Sequence, residues 1–144
     1  MAGIFFAFSN FVMKALGRLH PDEGIAAMQS VNVTVLNPGF FLVFFGTGAL
    51  CVLLLVRALM DWEQPAARYV TAASVLYIAG TLGVTMLLNV PRNNALARAK
   101  PGDAEATRLW SDYLVTWTAW NTVRTVAALA AAGLFTFALT LPRT

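Results

Sequence analysis

This 144-residue chain has one cysteine, one histidine and few charges, and each shortage excludes something. Cys51 lies inside an apolar run; a lone thiol closes no disulfide within the chain and builds no thiolate metal site. His20 is the only imidazole, so a histidine-cluster metal centre is excluded as well. Charged residues make up 12% of the chain, about half the share of an ordinary soluble domain. The seven acidic residues form no carboxylate pair, and no nucleophile–base triad or phosphate-cradling glycine loop can be found. The ten basic residues are scattered without a stripe, which argues against nucleic acid as a partner. No cofactor and no metal are expected from such a chain.

What is present is apolar. Hydrophobic residues make up 58% of the chain, and the mean hydropathy of +0.66 places it among polytopic helical membrane proteins. The formal charge of +3 and a pI near 9.5 suit a bilayer with anionic headgroups as partner. The pattern predicts an all-α fold: one integral-membrane domain over 1–144, a four-helix bundle with a short interfacial helix between its first two spans. The expected helices cover about 1–19, 38–60, 68–90 and 105–141. The interfacial segment is expected at about 23–35 and a polar loop at 91–104.

Local chemistry sets these bounds. No basic segment precedes the apolar stretch Gly3 to Met13, so it reads as a retained helix and not a signal peptide. It is short, because a crossing needs about 20 apolar residues and the first charge arrives at Lys14. Tilt, or completion by a second copy in a homo-oligomer, would accommodate it. Asn37-Pro38 opens the second span with proline in the first turn, where its missing N–H costs little. Gly46, Thr47 and Gly48 mark a small-residue contact face there. Thr71, Ser74, Tyr77, Thr81, Thr85 and Asn89 form a polar stripe along the third span, which Pro91 is expected to end. A Pro-Gly turn is expected at 101–102. Loops 1 and 3 with their flanks carry Lys14, Arg18, Arg92, Arg98, Lys100 and Arg108, against Arg57, Arg68 and Arg143 on the other side. That bias predicts loops 1 and 3 in the cytoplasm and both termini outside.

The candidate site lies on the last span. Trp110, Tyr113, Trp117, Asn121 and Arg124 recur at steps of three and four residues and share one helical face, with Trp120 beside them. Arg124 falls deep within an apolar segment, where a guanidinium needs a bundle interior, a partner or water. One reading is a structural arginine bound to carbonyls and amides of neighbouring helices. The other is an anchor for an anion or a developing oxyanion in a dry pocket. Trp117 and Trp120 could flank a flat aromatic ligand, or they could simply pack, as Trp110 and Tyr113 near the interface would. Asn89 and Asn93 could line the mouth of the same pocket, or belong to a helix stop and an Asn-rich turn. Gln29 and Asn32 share a face of the interfacial segment and either line the pocket or join neighbouring helices, and Tyr77 is a further candidate for binding. Ser9 and Asn10 read as interhelical hydrogen-bond groups, His20 as a loop residue, and Asp112 as a partner for Arg108.

An ordered set of motifs goes further. FFAFSNFVMKAL (5–16), GIAAMQSVN (24–32), NPGF (37–40), GT (46–47), NVPRNNAL (89–96) and Trp110, Tyr113 with WTAWNTVRT (117–125) resemble the DUF1772 family of small four-helix membrane proteins, which includes the anthrone oxygenases. The resemblance spans nearly the whole chain; Lys14 departs from it, standing where a proline is usual. It implies oxidation of a small flat phenolic lipophile, an anthrone, by O₂ as co-substrate without a cofactor. By motif, Trp117, Trp120 and Asn121 would form the slot, and Arg124 with Asn89 would hold the oxyanion. His20, Asp112 or a water would be the base. A non-catalytic protein that binds or passes a lipophile is the alternative, and a haem or quinone protein a more distant one.

Overall fold

The computed structural model describes residues 1–100 and 102–142. Pro101, half of the expected Pro-Gly turn, and Arg143, used in the charge count, lie outside the described residues. Five helices and no strand occur among the described residues. We label them α1 (Ala2–Leu16), α2 (Pro21–Thr34), α3 (Pro38–Met60), α4 (Ala67–Arg98) and α5 (Ala104–Ala138).

Three of them, α3, α4 and α5, are long and apolar enough to cross a membrane. At 1.5 Å per residue α1 is about 22 Å long, below the roughly 30 Å of a hydrocarbon core, so four full spans are not seen. Proline at the first turn opens both α2 and α3. Asn37 caps α3, its Oδ1 accepting from the Phe40 N–H at 3.0 Å.

The largest departure from expectation is at Pro91. α4 does not stop there but continues to Arg98, so residues 91–98 are helix, and among the described residues only Ala99, Lys100, Gly102 and Asp103 of the expected polar loop lie outside a helix. Two features accommodate the proline. α4 is π-helical over Leu76–Gly83 and Thr85–Asn89, and Pro91 falls in the first turn of the α-helical segment that follows. Beside the donor gap left by the proline, Arg92 Nη1 donates to the Leu88 carbonyl at 2.6 Å. The added turns are then covered by α2, where Ile25, Met28 and Leu96 are buried with Ala106, Trp110 and Tyr113 of α5. Gln29 Nε2 closes the end of α4, donating to the carbonyls of Leu96 at 2.8 Å and Ala99 at 3.1 Å. The α4–α5 turn is fastened to α2 by Asp22 Oδ1, which accepts from the Gly102 N–H at 2.6 Å. Gly102 has φ +98°, a conformation that suits glycine.

α4 and α5 pack through small residues. A Cβ at Gly80 would lie 2.5 Å from the Ala127 Cβ, an approach that only a glycine permits. Ala127, Ala128 and Ala131 are buried along the same seam. Gly80→Val should force the two helices apart and cost about 1–3 kcal/mol, as overpacking does. A lowered midpoint in a detergent thermal melt checks this. Against α3 it is Gly48 that admits Leu82, whereas Gly46 meets no neighbour.

Candidate functional site

The face of α5 defined by Trp110, Tyr113, Trp117, Asn121 and Arg124 turns inward, and all five are buried. The rings stack in sequence. Trp110 and Tyr113 have centroids 5.8 Å apart at 16°, and Tyr113 and Trp117 lie 5.8 Å apart at 19°. Phe8 of α1 closes on Trp117 at 5.9 Å. Asn93 Oδ1 holds the stack in place, accepting from the Tyr113 hydroxyl at 2.8 Å and from Trp117 Nε1 at 2.7 Å.

Below the stack sits Arg124, 6% exposed. Its Nη2 donates to Asn121 Oδ1 at 2.6 Å and its Nη1 to Thr85 Oγ1 at 3.1 Å. The guanidinium carbon lies 4.4 Å from the Phe5 ring centre and 5.3 Å from that of Trp117, a cation held between two aromatic faces. Among the described residues no carboxylate pairs with it. Nε is buried without a hydrogen-bond partner, as is Asn89 Oδ1. Asn89 Nδ2 donates to the Trp117 carbonyl at 3.1 Å, fixing α4 against α5 at this level.

α1 forms the remaining wall. Asn121 Nδ2 donates to the Phe5 carbonyl and to Ser9 Oγ, each at 2.7 Å. Thr122 Oγ1 lies 2.9 Å from the same Ser9 hydroxyl. Phe5 precedes a π-helical stretch, Phe8–Val12, where backbone pairing shifts and a carbonyl can take a side-chain donor.

A family model described as anthrone oxygenase matches residues 40–134. The chain belongs to the anthrone oxygenase family. No curated protein and no solved structure matches the chain. The matched segment of this anthrone oxygenase family member contains Asn89, Asn93, Trp117, Asn121 and Arg124. Phe5 and Ser9, which complete the enclosure, lie outside it.

Several candidates are placed away from this centre. Tyr77 donates to the Phe44 carbonyl at 3.1 Å and packs with Cys51, Ala73 and Ala131 in a second core. Gln29 is taken up in capping α4. Asn32 is half-buried, and its Nδ2 is buried without a hydrogen-bond partner. Trp120 is half-buried and enters no ring pair among the described residues. Trp117 is instead covered by protein rings. His20 is exposed beside Asp22, and Asp112 is exposed without its expected pairing to Arg108. Asp112 lies twelve residues from Arg124 on α5, about 18 Å along the axis, too far to take a proton there. Asn10 is exposed. Thr85 and Phe5 were not singled out as site residues. Thr85 stood in the polar stripe of α4 and Phe5 in the aromatic opening of α1, but neither carries a local sign of contact with Arg124.

The arrangement can stabilise negative charge. A buried guanidinium with an uncommitted N–H, held by neutral amide and hydroxyl oxygens, keeps its charge available to a ligand.

Proposed function

We propose that this protein is a membrane-embedded oxygenase of the anthrone type, acting on a flat phenolic lipophile with O₂ and no resident cofactor. The observation that carries the reading is the buried Arg124 without a carboxylate partner among the described residues. Among the described residues no three His, Cys, Asp or Glu side chains come together as metal ligands. In this reading α1 enters the bilayer beside α3, α4 and α5 as the fourth helix, and loops 1 and 3 face the cytoplasm. The substrate methylene gives a proton to a water, leaving a carbanion delocalised onto the ring oxygen, and that proton later returns to the peroxide formed on the same carbon. That oxyanion is held by Arg124 and by the Asn89 amide. The carbanion reduces O₂, the carbon–oxygen bond forms, and loss of water leaves the ketone: CH₂ plus O₂ gives C=O plus H₂O.

Because Phe5 and Phe8 cover the centre, α1 must swing away for the substrate to reach Arg124. Its attachment through Ser9 to Asn121 and Thr122 is a short polar latch suited to that movement. The test is O₂ uptake by detergent-purified protein with an anthrone in metal-chelated buffer. Uptake with matching quinone formation supports the reading, whereas binding without uptake leaves a lipophile-binding protein. In an active protein, a Ser9→Cys/Thr122→Cys pair should cut turnover at least about tenfold when oxidised and regain it on reduction. Unchanged turnover in the oxidised pair would show that α1 need not move.

A further inference from the structure

We propose that the groove between the C-terminal half of α1 and the middle of α5 binds an anionic membrane phospholipid, its phosphate on Lys14 and Arg18 and an acyl chain along Leu114 and Val115. The inference rests on the membrane placement of the apolar helices and not on catalysis at Arg124.

The groove has a volume of ≈ 390 Å³; Met13, Leu114 and Val115 line it with Lys14 and Arg18, and Ser9, Gly17 and Thr118 complete it. Lys14 lies in the last turn of α1 and Arg18 in the turn that follows it; both are exposed, and neither enters an ion pair among the described residues. No acidic residue lines this groove. Three other grooves that carry a cation carry an acid as well. Arg57 pairs with Asp61 at 2.5 Å in one, Glu63 accompanies Arg68 in another, and Asp103 and Glu105 accompany Arg98 and Lys100 in a third. The α1–α5 groove is thus set apart by two uncompensated cations above an apolar trough.

Their level fits a headgroup. α1 is apolar through Met13 except for Ser9 and Asn10, and its charges begin at Lys14, near the loop that leads to α2. Long basic side chains at such a position extend their charge to the phosphate layer while their methylenes stay on apolar surface. The guanidinium of Arg18 adds the fork geometry that a phosphate accepts. Gly17 keeps the trough open, since a Cβ there would lie 3.2 Å from Leu114 Cδ1.

Native mass spectrometry of the full chain in detergent, titrated with dioleoyl phosphatidylglycerol or dioleoyl phosphatidylcholine, tests the proposal. The first phosphatidylglycerol should bind about 30-fold more tightly than phosphatidylcholine, the order expected of two basic residues near the surface. Lys14→Gln/Arg18→Gln should erase that preference. Arg98→Gln/Lys100→Gln, in a groove with its own acids, should retain it. Val115→Trp should weaken both lipids by filling the trough; Val115 is 70% exposed, so the fold has no reason to change. The proposal is overturned by equal affinity for the two lipids, by a preference that survives in the Lys14/Arg18 variant, or by its equal loss in the Arg98/Lys100 variant. It is also overturned if Val115→Trp has no effect, or if inorganic phosphate competes as well as the lipid, which would mark an anion site without a place for a chain.

Discussion

Arg124→Leu lowers oxygen uptake with an anthrone by at least about 100-fold while the protein still inserts and purifies as a folded helical species. The magnitude follows from the role. Removing one preorganised donor to a developing oxyanion typically costs a factor of about 10² to 10³, and Arg124 carries a full charge in a dry environment. Folding survives because leucine suits a site walled by Phe5 and Trp117, and an apolar replacement of a buried charge is often neutral. What is lost structurally is the donor to Asn121 Oδ1, left unsatisfied at a cost of about 1–3 kcal/mol, and one donor to Thr85 Oγ1, whose hydroxyl keeps its own bond to the Thr81 carbonyl at 2.7 Å. A modest fall in the melting midpoint is therefore expected beside the loss of turnover. Arg124→Lys keeps the charge but loses the planar fork that reaches Asn121 and Thr85 together, so it should retain intermediate turnover. Oxygen uptake in all three proteins, normalised to helical content by circular dichroism, decides the matter. Full turnover in the leucine variant would remove Arg124 from the chemistry and leave it as a helix-joining arginine.

The site was legible wherever it lay on one helix. Spacing of three and four residues put Trp110, Tyr113, Trp117, Asn121 and Arg124 on a common face of α5, and the structure buries that face. The polar stripe of α4 was legible for the same reason, and Ser74, Tyr77, Thr81 and Asn89 are buried. Contacts between distant parts of the chain were not. Phe5 meets Arg124 across more than a hundred residues, and no periodicity encodes such a pairing. Pro91 illustrates the limit of local rules. Its ring ends a helix where nothing replaces the lost hydrogen bond or covers the next turns. Here a π-helical stretch precedes it, Arg92 donates nearby, and α2 buries Leu96 while Gln29 caps the end. That tertiary context also explains Gln29: of the two readings its position allows, pocket lining or joining of helices, the structure shows the second, with its amide on a helix terminus sixty-seven residues away. Trp120 differs again, since a position at the margin of the buried face is decided by which neighbour arrives.

Thr85→Asp gives the sharpest separation between a structural and an electrostatic role for Arg124. Thr85 Oγ1 accepts from Arg124 Nη1 at 3.1 Å and donates to the Thr81 carbonyl at 2.7 Å; aspartate is close to threonine in length, so a carboxylate oxygen can reach the guanidinium once it turns away from that carbonyl. The links from Asn121 to Phe5 and Ser9 are untouched, and α1 stays fastened to α5. The new carboxylate supplies the counter-charge that Arg124 lacks among the described residues. If Arg124 serves only to join helices, an ion pair in place of a neutral hydrogen bond holds α4 to α5 at least as well, and turnover stays near wild type. If its free charge stabilises the substrate oxyanion, the pair neutralises it and repels the anion. Turnover then falls about 100-fold while the melting midpoint holds or rises. Thr85→Val, which deletes the hydroxyl without adding charge, removes its bonds to Arg124 and to the Thr81 carbonyl and should cost about 1–3 kcal/mol of stability, with turnover changed less than tenfold. Because the aspartate variant keeps Arg124 in place, loss of activity in a protein that melts at or above the wild-type midpoint assigns the effect to charge; unchanged turnover there rules out an oxyanion at Arg124.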